Sequence, residues 1–388
     1  MAILPIRNFQ NDNPALATRE ASPGLMLRRV RSTRLEAPRV VRWTNARGCA
    51  GFSIQEAREA GMALSPREVL ARMLLMRRFE EMVITLARAH KLGRQHLAIG
   101  NEALGAAALM QLRAGDLIYT THRNHGHMIA RGVDPGKALA EILGRAGGLN
   151  GGKGGTWHMT DPSLGFQSTS AMVGGSIGLS VGGAFALKHK KTDNVAVALF
   201  GDGALDEGIA YEALNIASLY ALPVLFLCEN NSKEGEAQTS RLATKELTAV
   251  PKALKIACAS VDGGDPEAAG KAVATALAHV RDGNGPYFLE AQLVRWPGSH
   301  QTVHAFTTGV TDVTAAWDSA KASNVHAEWQ RTDPILRTAR TLIARGTVTR
   351  EDVVALDNAA AVTMAKARGF AEASPYPKPE AALAGVFV

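Results

Sequence analysis

Apolar and polar positions in residues 195–231 follow a pattern that predicts a strand, a helix and a second strand. Two short apolar runs, residues 195–200 and 224–228, predict buried strands. Between them, apolar residues recur at helical spacing and predict a helix over residues 206–220. These residues are Ile209, Ala213, Ile216, Ala217 and Tyr220. The order strand, helix, strand is typical of α/β proteins with a parallel sheet.

Polar side chains follow both predicted strands at the point where each ends. Gly201-Asp202-Gly203 comes directly after the first run, and Asn230-Asn231 comes after the second. Ligands of parallel α/β sheets bind outside the carboxyl ends of the strands. Carboxylate and amide oxygens suit Mg²⁺ that is held partly by protein and partly by a diphosphate. An isolated Gly-Asp-Gly is commonly a tight turn, but the second polar pair at the matching strand end favours a binding site.

A start signal and a stop signal for one helix precede this unit. Ser65, Pro66 and Glu68 have the spacing of a helix cap. They predict a helix that runs toward His90 and that Gly93 ends.

Residues 116–121 predict a further strand, and basic side chains cluster just after it. The guanidinium of Arg123 is well shaped for a terminal phosphate. His122, His125 and His127 in the same segment raise the alternative of a metal site. A strand end that turns into a helix rarely presents three rings together, and no acid or cysteine completes the set. The pattern therefore favours phosphate binding.

The Gly-Asp-Gly motif, the crossover helix and the following Glu-Asn-Asn together resemble the thiamine-diphosphate signature. From about Arg77 to the C-terminus, the sequence is similar to the alpha subunit of the thiamine-dependent first component of 2-oxo-acid dehydrogenase complexes, of the pyruvate, branched-chain or acetoin type. The resemblance implies an α/β thiamine-diphosphate-binding fold, with a mainly parallel sheet and helices on both faces.

The resemblance also assigns cofactor roles to residues of this chain. It implies thiamine diphosphate and Mg²⁺ as cofactors, with the metal held by Asp202, Asn231 and the main-chain carbonyl of Lys233. The positions matched to cofactor contacts are His122, Arg123, Val173, Asp202, Gly203, Ala204 and Asn231. The sequence differs from the family pattern at two places. His122 replaces the family's tyrosine, and residues 232–235 differ from the residues that follow Asn-Asn in the family.

Two histidines match catalytic positions of the family. His125 matches a histidine that the family places near the substrate, and the alternative is a loop histidine that faces water. His300 lies one position from the family's loop histidine, because Pro297 and Ser299 occupy the two histidine positions. His304 is the alternative to His300.

The glycine-rich residues 147–155 look like a P-loop only in part. Gly154 stands where a Ser or Thr hydroxyl must reach Mg²⁺, and neither the preceding strand nor the following helix is predicted. The segment instead is similar to a glycine-rich loop of the same family, shaped by packing and by subunit contact.

The excess of positive charge is concentrated at the N-terminus. The 388 residues carry a net charge of +7, and residues 1–50 hold nine arginines against three acidic residues. We predict a basic, flexible arm over residues 1–60 and one domain over residues 61–388 with a C-terminal helical extension. A nucleic-acid interface would need the charge on a folded face with a binding motif, so no nucleic-acid partner is expected.

Apolar runs and cysteine spacing bear on location. No apolar run approaches the roughly 18 to 20 residues that span a bilayer, so no membrane partner is expected. Three cysteines without paired spacing favour a reduced compartment. The expected location is the cytoplasm, with the mitochondrial matrix as the alternative because an Arg-rich start resembles a transit peptide.

The resemblance implies a reaction and its partners. The reaction is oxidative decarboxylation of a 2-oxo acid, pyruvate first, with acyl transfer to a lipoyl group on an acyltransferase component. A beta subunit would complete the active site in an assembly of two alpha and two beta subunits, because the family's glutamate that protonates the aminopyrimidine lies on that subunit. The alternatives are an acetoin dehydrogenase alpha subunit and a non-catalytic paralogue that binds the cofactor or the beta subunit.

Overall fold

Six parallel strands form the sheet that organises the chain. The computed structural model describes residues 64–231, 243–244, 246–294, 311–318 and 331–384. The strands are β1 (Leu117–Thr121), β2 (Phe166–Ser170), β3 (Ala196–Gly201), β4 (Val224–Asn230), β5 (Ala257–Asp262) and β6 (Tyr287–Gln292). Their spatial order is β2-β1-β3-β4-β6-β5, and every pairing is parallel.

Helices cover both faces of this sheet, which confirms the predicted fold class. Within the described ranges the α-helices are α1 (Pro66–Ala89), α2 (Glu102–Leu109), α3 (His125–Arg131), α4 (Pro135–Ile142), α5 (Gly175–His189), α6 (Gly208–Leu219), α7 (Ala249–Ala253), α8 (Pro266–Arg281), α9 (Pro334–Ala344) and α10 (Arg350–Ala373). In β3, Val197 and Leu199 join the core formed with α1 to α4 and α8 to α10. Ala198 and Phe200 join the core on the opposite face, with α5 and α6. Burial on both faces explains why the strands are apolar runs without alternation.

The strand order reverses between β1 and β3. The chain passes from β1 to β2 on one side of the sheet and then to β3 on the other side. In open α/β sheets, ligands bind at such a point, outside the carboxyl ends of the strands. Arg123 follows β1 and Asp202 follows β3, so the sheet topology positions the predicted site at this crevice.

The helix predicted over residues 206–220 begins two residues later than predicted, at Gly208, and ends at Leu219. Asp202–Asp206 form a 3-10 turn directly after β3. Glu207 is extended, with φ of −83° and ψ of 138°, and α6 then begins at Gly208. The main-chain amides that follow β3 therefore belong to the short 3-10 turn instead of a regular α-helix.

The predicted start of α1 and its course toward His90 are confirmed, but Gly93 does not end the helix. The Ser65 side chain accepts a hydrogen bond from the main chain of Glu68, whose carboxylate accepts one from the main chain of Ser65. The helix ends at Ala89, before the predicted stop at Gly93, and Lys91 takes the left-handed conformation with φ of 51°. A non-glycine residue thus reverses the chain before the glycine is reached.

Two helices after residue 330, α9 and α10, pack against the helices that cover one face of the sheet. Asp333 caps α9 by accepting from the main chain of Ile335 at 2.8 Å and of Leu336 at 3.2 Å. The longer helix α10 packs against α1 and α4. The predicted basic arm over residues 1–60 lies outside the described residues. Across the described ranges, no helix combines the length and the apolar composition needed to cross a membrane.

Candidate functional site

The carboxyl edge of the sheet brings together the ends of four neighbouring strands. In the register of the sheet, Thr121 of β1 pairs with Ser170 of β2, and Gly201 of β3 pairs with Glu229 of β4. The predicted cofactor residues leave these ends. They are Val173 after β2, His122 and Arg123 after β1, Asp202, Gly203 and Ala204 after β3, and Asn231 after β4.

Three polar side chains at this edge are almost completely buried. The exposed fractions are 9% for Arg123, 1% for Asp202 and 6% for Asn231. A carboxylate and an amide oxygen from adjacent strand ends match the hard oxygen donors that Mg²⁺ prefers. A Cβ added to Gly201 would meet no atom of the described residues within 4 Å, so among these residues the end of β3 borders open space. The donor chemistry and this space fit a magnesium diphosphate group.

The described residues contain no group of three or more His, Cys, Asp or Glu side chains arranged for a metal ion. Asp202 and Asn231 can supply only part of a magnesium coordination shell. Mg²⁺ sites of this kind take their remaining ligands from waters and from phosphate oxygens. The donor set therefore suits a metal that is bound together with a phosphorylated group.

His122 packs against a second histidine at the same edge. The ring centroids of His122 and His96 are 4.5 Å apart, and Trp157 lies 5.9 Å from His96. Burial, followed by electrostatic repulsion from the protonated form of His122 and from Arg123, lowers the pKa of His96 to about 3. Burial and Arg123 also lower the pKa of His122. Both rings are neutral at pH 7 and offer N–H donors without charge.

One nitrogen of His96 is orphaned. Its Nδ1 is buried and has no hydrogen-bond partner among the described residues. Buried polar atoms are nearly always paired with protein, water or ligand. This atom, beside His122 and Arg123, is available for a hydrogen bond to a water or a ligand group.

Arg123 is held by the segment that precedes α2. Its Nη1 donates to the main-chain carbonyl of Leu97, and its main-chain N–H donates to Thr121 Oγ1 at 3.2 Å. These two hydrogen bonds anchor Arg123 at the carboxyl edge of the sheet.

His125 lies at this edge but its ring is completely buried. Its Nδ1 is 3.0 Å from Glu80 Oε2, and its Nε2 is 2.7 Å from Thr156 Oγ1. Glu80 also accepts from the main chain of Ala98 at 2.9 Å. In the neutral tautomer that donates to Glu80, the ring accepts from Thr156, so both nitrogens are occupied.

His127 forms a second histidine–carboxylate pair. Its Nε2 is 3.0 Å from Glu229 Oε1, and its Nδ1 is 2.6 Å from Thr120 Oγ1. Asn101 donates to the same carboxylate oxygen at 3.2 Å. The three histidines of residues 122–127 thus contact three different sets of partners, and two of them tie α3 to buried carboxylates.

Comparison with known proteins decides the family. Residues 71–380 match the family model described as the dehydrogenase E1 component. The chain belongs to this family.

Individual relatives of this E1 family cover most of the chain. It is 34% identical to the pyruvate dehydrogenase E1 component subunit alpha of Rhizobium meliloti over 307 residues, which is 79% of this chain and 85% of that protein. It is 33% identical over 326 residues to the alpha subunit of acetoin:2,6-dichlorophenolindophenol oxidoreductase of Cupriavidus necator, which is 82% of this chain and 93% of that protein. The pyruvate dehydrogenase E1 alpha subunit of Zymomonas mobilis is 34% identical over 324 residues, which is 83% of this chain and 88% of that protein.

Family membership confirms the resemblance found in the sequence. The chain is an E1 alpha subunit of the 2-oxo-acid dehydrogenase type and an oxidoreductase component. Membership implies thiamine diphosphate as the cofactor. The buried donors and the open space at the carboxyl edge agree with a diphosphate group there.

Two carboxylates of this E1 chain, Glu80 and Glu229, are buried beside the histidines although neither was a predicted site residue. Glu80 is buried in α1 near the apolar Met76, Val83 and Ile84, and Glu229 is the penultimate residue of an otherwise apolar strand. A carboxylate at a position that the pattern buries needs a partner. That conflict between pattern and charge is the signal that could have identified both residues.

Val173 is displayed at the turn between β2 and α5, with 49% of its surface exposed. The next residue, Gly174, has φ of 78°, and a Cβ there would lie 2.7 Å from Ile209 Cγ2. Only glycine fits this turn, which holds Val173 at the carboxyl edge. Its contact with the cofactor stays a prediction.

The remaining predicted site residues of the E1 chain, Lys233 and His300, lie outside the described residues, as does the alternative His304. Their roles stay predictions.

A cavity of about 440 Å³ lies beside β5 and β6. Its lining includes Glu290, which accepts from Ser260 at 2.6 Å and from Asn230 at 2.7 Å. None of the predicted cofactor residues is among the described residues that line it. The cavity is therefore separate from the site around Arg123 and Asp202.

Proposed function

We propose that this chain is the alpha subunit of an enzyme that uses thiamine diphosphate to decarboxylate pyruvate oxidatively. In this proposal the acyl group passes to a lipoyl group on an acyltransferase component. The observation that carries the proposal is the convergence of buried Arg123, Asp202 and Asn231 at the carboxyl ends of β1, β3 and β4. Relatives named as pyruvate dehydrogenase alpha subunits support pyruvate as the substrate. The bacterial relatives support a cytoplasmic location.

The proposed metal site uses oxygen donors of this chain. Asp202 and Asn231 hold Mg²⁺ through side-chain oxygens, and Lys233 contributes its main-chain carbonyl. The metal would neutralise part of the charge of the diphosphate.

The proposed diphosphate site combines charged and neutral donors. Arg123 donates through its guanidinium, and His122 adds a neutral N–H where the family has a tyrosine. Gly203 and Ala204 contribute main-chain amides from the 3-10 turn after β3. Val173 supports the cofactor from the turn after β2.

When bound, thiamine diphosphate supplies the carbon nucleophile for the 2-oxo carbonyl and takes up the electron pair released with CO₂. The residues of this chain bind and orient that group. His125 could donate a proton only after its hydrogen bond to Thr156 opens, because both ring nitrogens are occupied. His300 is the second candidate donor.

The proposed beta-subunit interface is the exposed apolar surface beside the cofactor edge. Contiguous exposed apolar surface on a folded domain commonly marks a protein interface. The residues come from the turn after β2, from α5 and from the α6 segment, and they are Met172, Val173, Leu179, Phe185, Ile209, Tyr211, Ile216, Leu219 and Tyr220. Because Val173 belongs to this surface, a partner seated on it would reach the cofactor. The surface supports a partner subunit, and the proposed assembly has two alpha and two beta subunits.

Acetoin cleavage is the second candidate function. Relatives named as acetoin oxidoreductase alpha subunits are 33% and 32% identical, nearly the same as the pyruvate dehydrogenase relatives. The proposed cofactor site serves either reaction, because both begin at the same cofactor carbon. Turnover of each compound by one preparation separates them.

The proposal is tested with this chain co-expressed with its candidate beta subunit. Titration calorimetry measures thiamine diphosphate binding with and without Mg²⁺. We expect Mg²⁺-dependent binding in the parent enzyme, none in Asp202→Ala, and parent affinity in Asp206→Asn, which changes an exposed carboxylate of the same turn. Reduction of 2,6-dichlorophenolindophenol then compares pyruvate with acetoin. Cofactor binding without turnover of either compound would favour a non-catalytic paralogue, and no binding would refute the proposal.

A further inference from the structure

A buried carboxylate organises the glycine-rich loop that follows α4. Glu141 is completely buried, and its side chain accepts four main-chain N–H groups. Oε2 accepts from Asn150 at 2.7 Å and from Gly152 at 2.9 Å. Oε1 accepts from Gly154 at 2.6 Å and from Gly155 at 3.2 Å. Hydrogen bonds from several amides compensate the burial of a carboxylate charge.

The glycines of this loop allow its backbone to approach the carboxylate. A Cβ added to Gly148 would lie 2.4 Å from Glu141 Oε2. A Cβ added to Gly152, which has φ of 80°, would lie 2.6 Å from the carbonyl carbon of Gly144. The loop therefore closes around Glu141 in a way that larger residues would prevent.

The residues after the loop contact the cofactor edge. Thr156 Oγ1 is 2.7 Å from His125 Nε2, and the main-chain carbonyl of Thr156 accepts from Asn124 at 3.0 Å. The ring of Trp157 lies against His96. Asn124 directly follows Arg123 in the chain, so the loop is linked to the segment that is proposed to hold the diphosphate.

We propose that Glu141 is a positioning residue for the cofactor site. It holds residues 147–155 so that Thr156 fixes Asn124 and His125, and this arrangement sets the position of Arg123. Glu141 itself does not contact the cofactor. The inference rests on the proposed function, and it assigns to the cofactor site a positioning residue that lies away from the sheet edge.

The test compares three variants of the full chain assembled with its beta subunit. Glu141→Gln keeps the side-chain size but replaces one acceptor oxygen with a donor, which opposes the loop amides. Thr156→Val keeps the shape and removes the hydroxyl that contacts His125. Asp134→Asn is the matched control, because Asp134 is an exposed carboxylate that caps the same helix, accepting from Lys137 at 2.9 Å.

The first readout needs no cofactor. Hydrogen exchange followed by mass spectrometry reports on residues 147–160 and on residues 122–127. We expect Glu141→Gln to accelerate exchange in both segments by about tenfold or more, and Asp134→Asn to leave the second segment unchanged. Faster exchange confined to residues 147–155 would overturn the proposal.

The second readout is the calorimetric affinity for thiamine diphosphate with Mg²⁺. We expect Glu141→Gln and Thr156→Val each to weaken binding by about tenfold, the scale of one lost hydrogen bond. Because both act through one linkage, we expect the double variant to bind about as weakly as Glu141→Gln alone. Independent, multiplicative losses would contradict that linkage, as would an equal loss in Asp134→Asn.

Two outcomes separate this inference from the proposed function. If the parent enzyme binds no thiamine diphosphate, the proposed function fails, while the exchange experiment still tests the hold of Glu141 on residues 122–127. If Glu141→Gln does not assemble, Thr156→Val alone decides, since parent affinity in that variant overturns the inference.

Discussion

The rings of His96 and His122 meet edge to face, with 4.5 Å between their centroids. The two residues are brought together from the segment before α2 and from the end of β1. Burial and the positive neighbours lower the pKa of both rings, and that of His96 falls to about 3. Two neutral histidines therefore stand beside Arg123, where a charged pair would repel the guanidinium.

This lowered pKa predicts a loss of stability in mild acid. The unfolded chain takes up the His96 proton near the ordinary value of 6.5, and the folded chain does so only near pH 3. As pH falls through that window the unfolded state binds more protons, so stability is lost. We expect His96→Gln to reduce the drop in melting temperature between about pH 7.5 and pH 5. Calorimetric scans at both values check this.

The control for that experiment is His158→Gln, which changes an exposed histidine of the glycine-rich segment. It should show the same drop in melting temperature as the parent protein. An unchanged drop in His96→Gln would contradict the assignment of the acid sensitivity to His96.

The replacement of the family's tyrosine by His122 predicts a particular order of variants. If His122 donates an N–H to the diphosphate, His122→Tyr restores a donor and keeps the affinity for thiamine diphosphate within about threefold. His122→Phe keeps a ring without a donor and should weaken binding by about tenfold. Calorimetric titration of the assembled enzyme measures both. Equal affinities in the two variants would show that His122 contributes its ring alone.

Local patterns predicted the central unit well, because their causes are local. The apolar runs before Asp202 and Asn231 are strands since both faces of the sheet are covered. The capping box of Ser65 and Glu68 depends on residues three positions apart. The parallel arrangement then brings the strand ends to one edge, which is why the motif residues converge.

The carboxylates that hold the site depend on contacts that local patterns do not contain. Glu80 reaches His125 across 45 positions, and Glu229 reaches His127 across 102. Sequence spacing cannot pair residues over such separations. The stop signal assigned to Gly93 was wrong for another reason, because Lys91 adopts a left-handed conformation that is rare for residues other than glycine.

A buried ion-pair group behind the site predicts a large stability effect. Arg77 lies 2.6 Å from Glu102 and 2.8 Å from Asp333, and all three side chains are buried. Asp333→Asn keeps an oxygen for the cap of α9 but removes the charge. We expect the free energy of unfolding to fall by about 1.5 to 3 kcal/mol, since Arg77 loses a charge-assisted hydrogen bond while it keeps its pair with Glu102. Urea unfolding of the assembled enzyme measures it.

The control for that prediction is Lys271→Ala, which removes an exposed pair with Glu267. Exposed pairs contribute about 0 to 1 kcal/mol, so this variant should unfold almost as the parent does. A comparable loss in both variants would refute the role assigned to the buried group.

Substitutions of Arg123 distinguish a forked donor from a point charge at the cofactor edge. The guanidinium is a planar fork with several N–H donors, one of which donates to the carbonyl of Leu97. A lysine in its place has one nitrogen, which cannot serve Leu97 and a diphosphate with the same geometry. We therefore expect Arg123→Lys to weaken thiamine diphosphate binding by about tenfold, and Arg123→Ala by about a hundredfold, as for charge-assisted hydrogen bonds of about 1.5 to 3 kcal/mol. Calorimetric titration measures both variants. The control is Arg113→Lys, which changes an exposed arginine and should leave the affinity at the parent value. Parent affinity in Arg123→Ala would show that Arg123 does not bind the diphosphate.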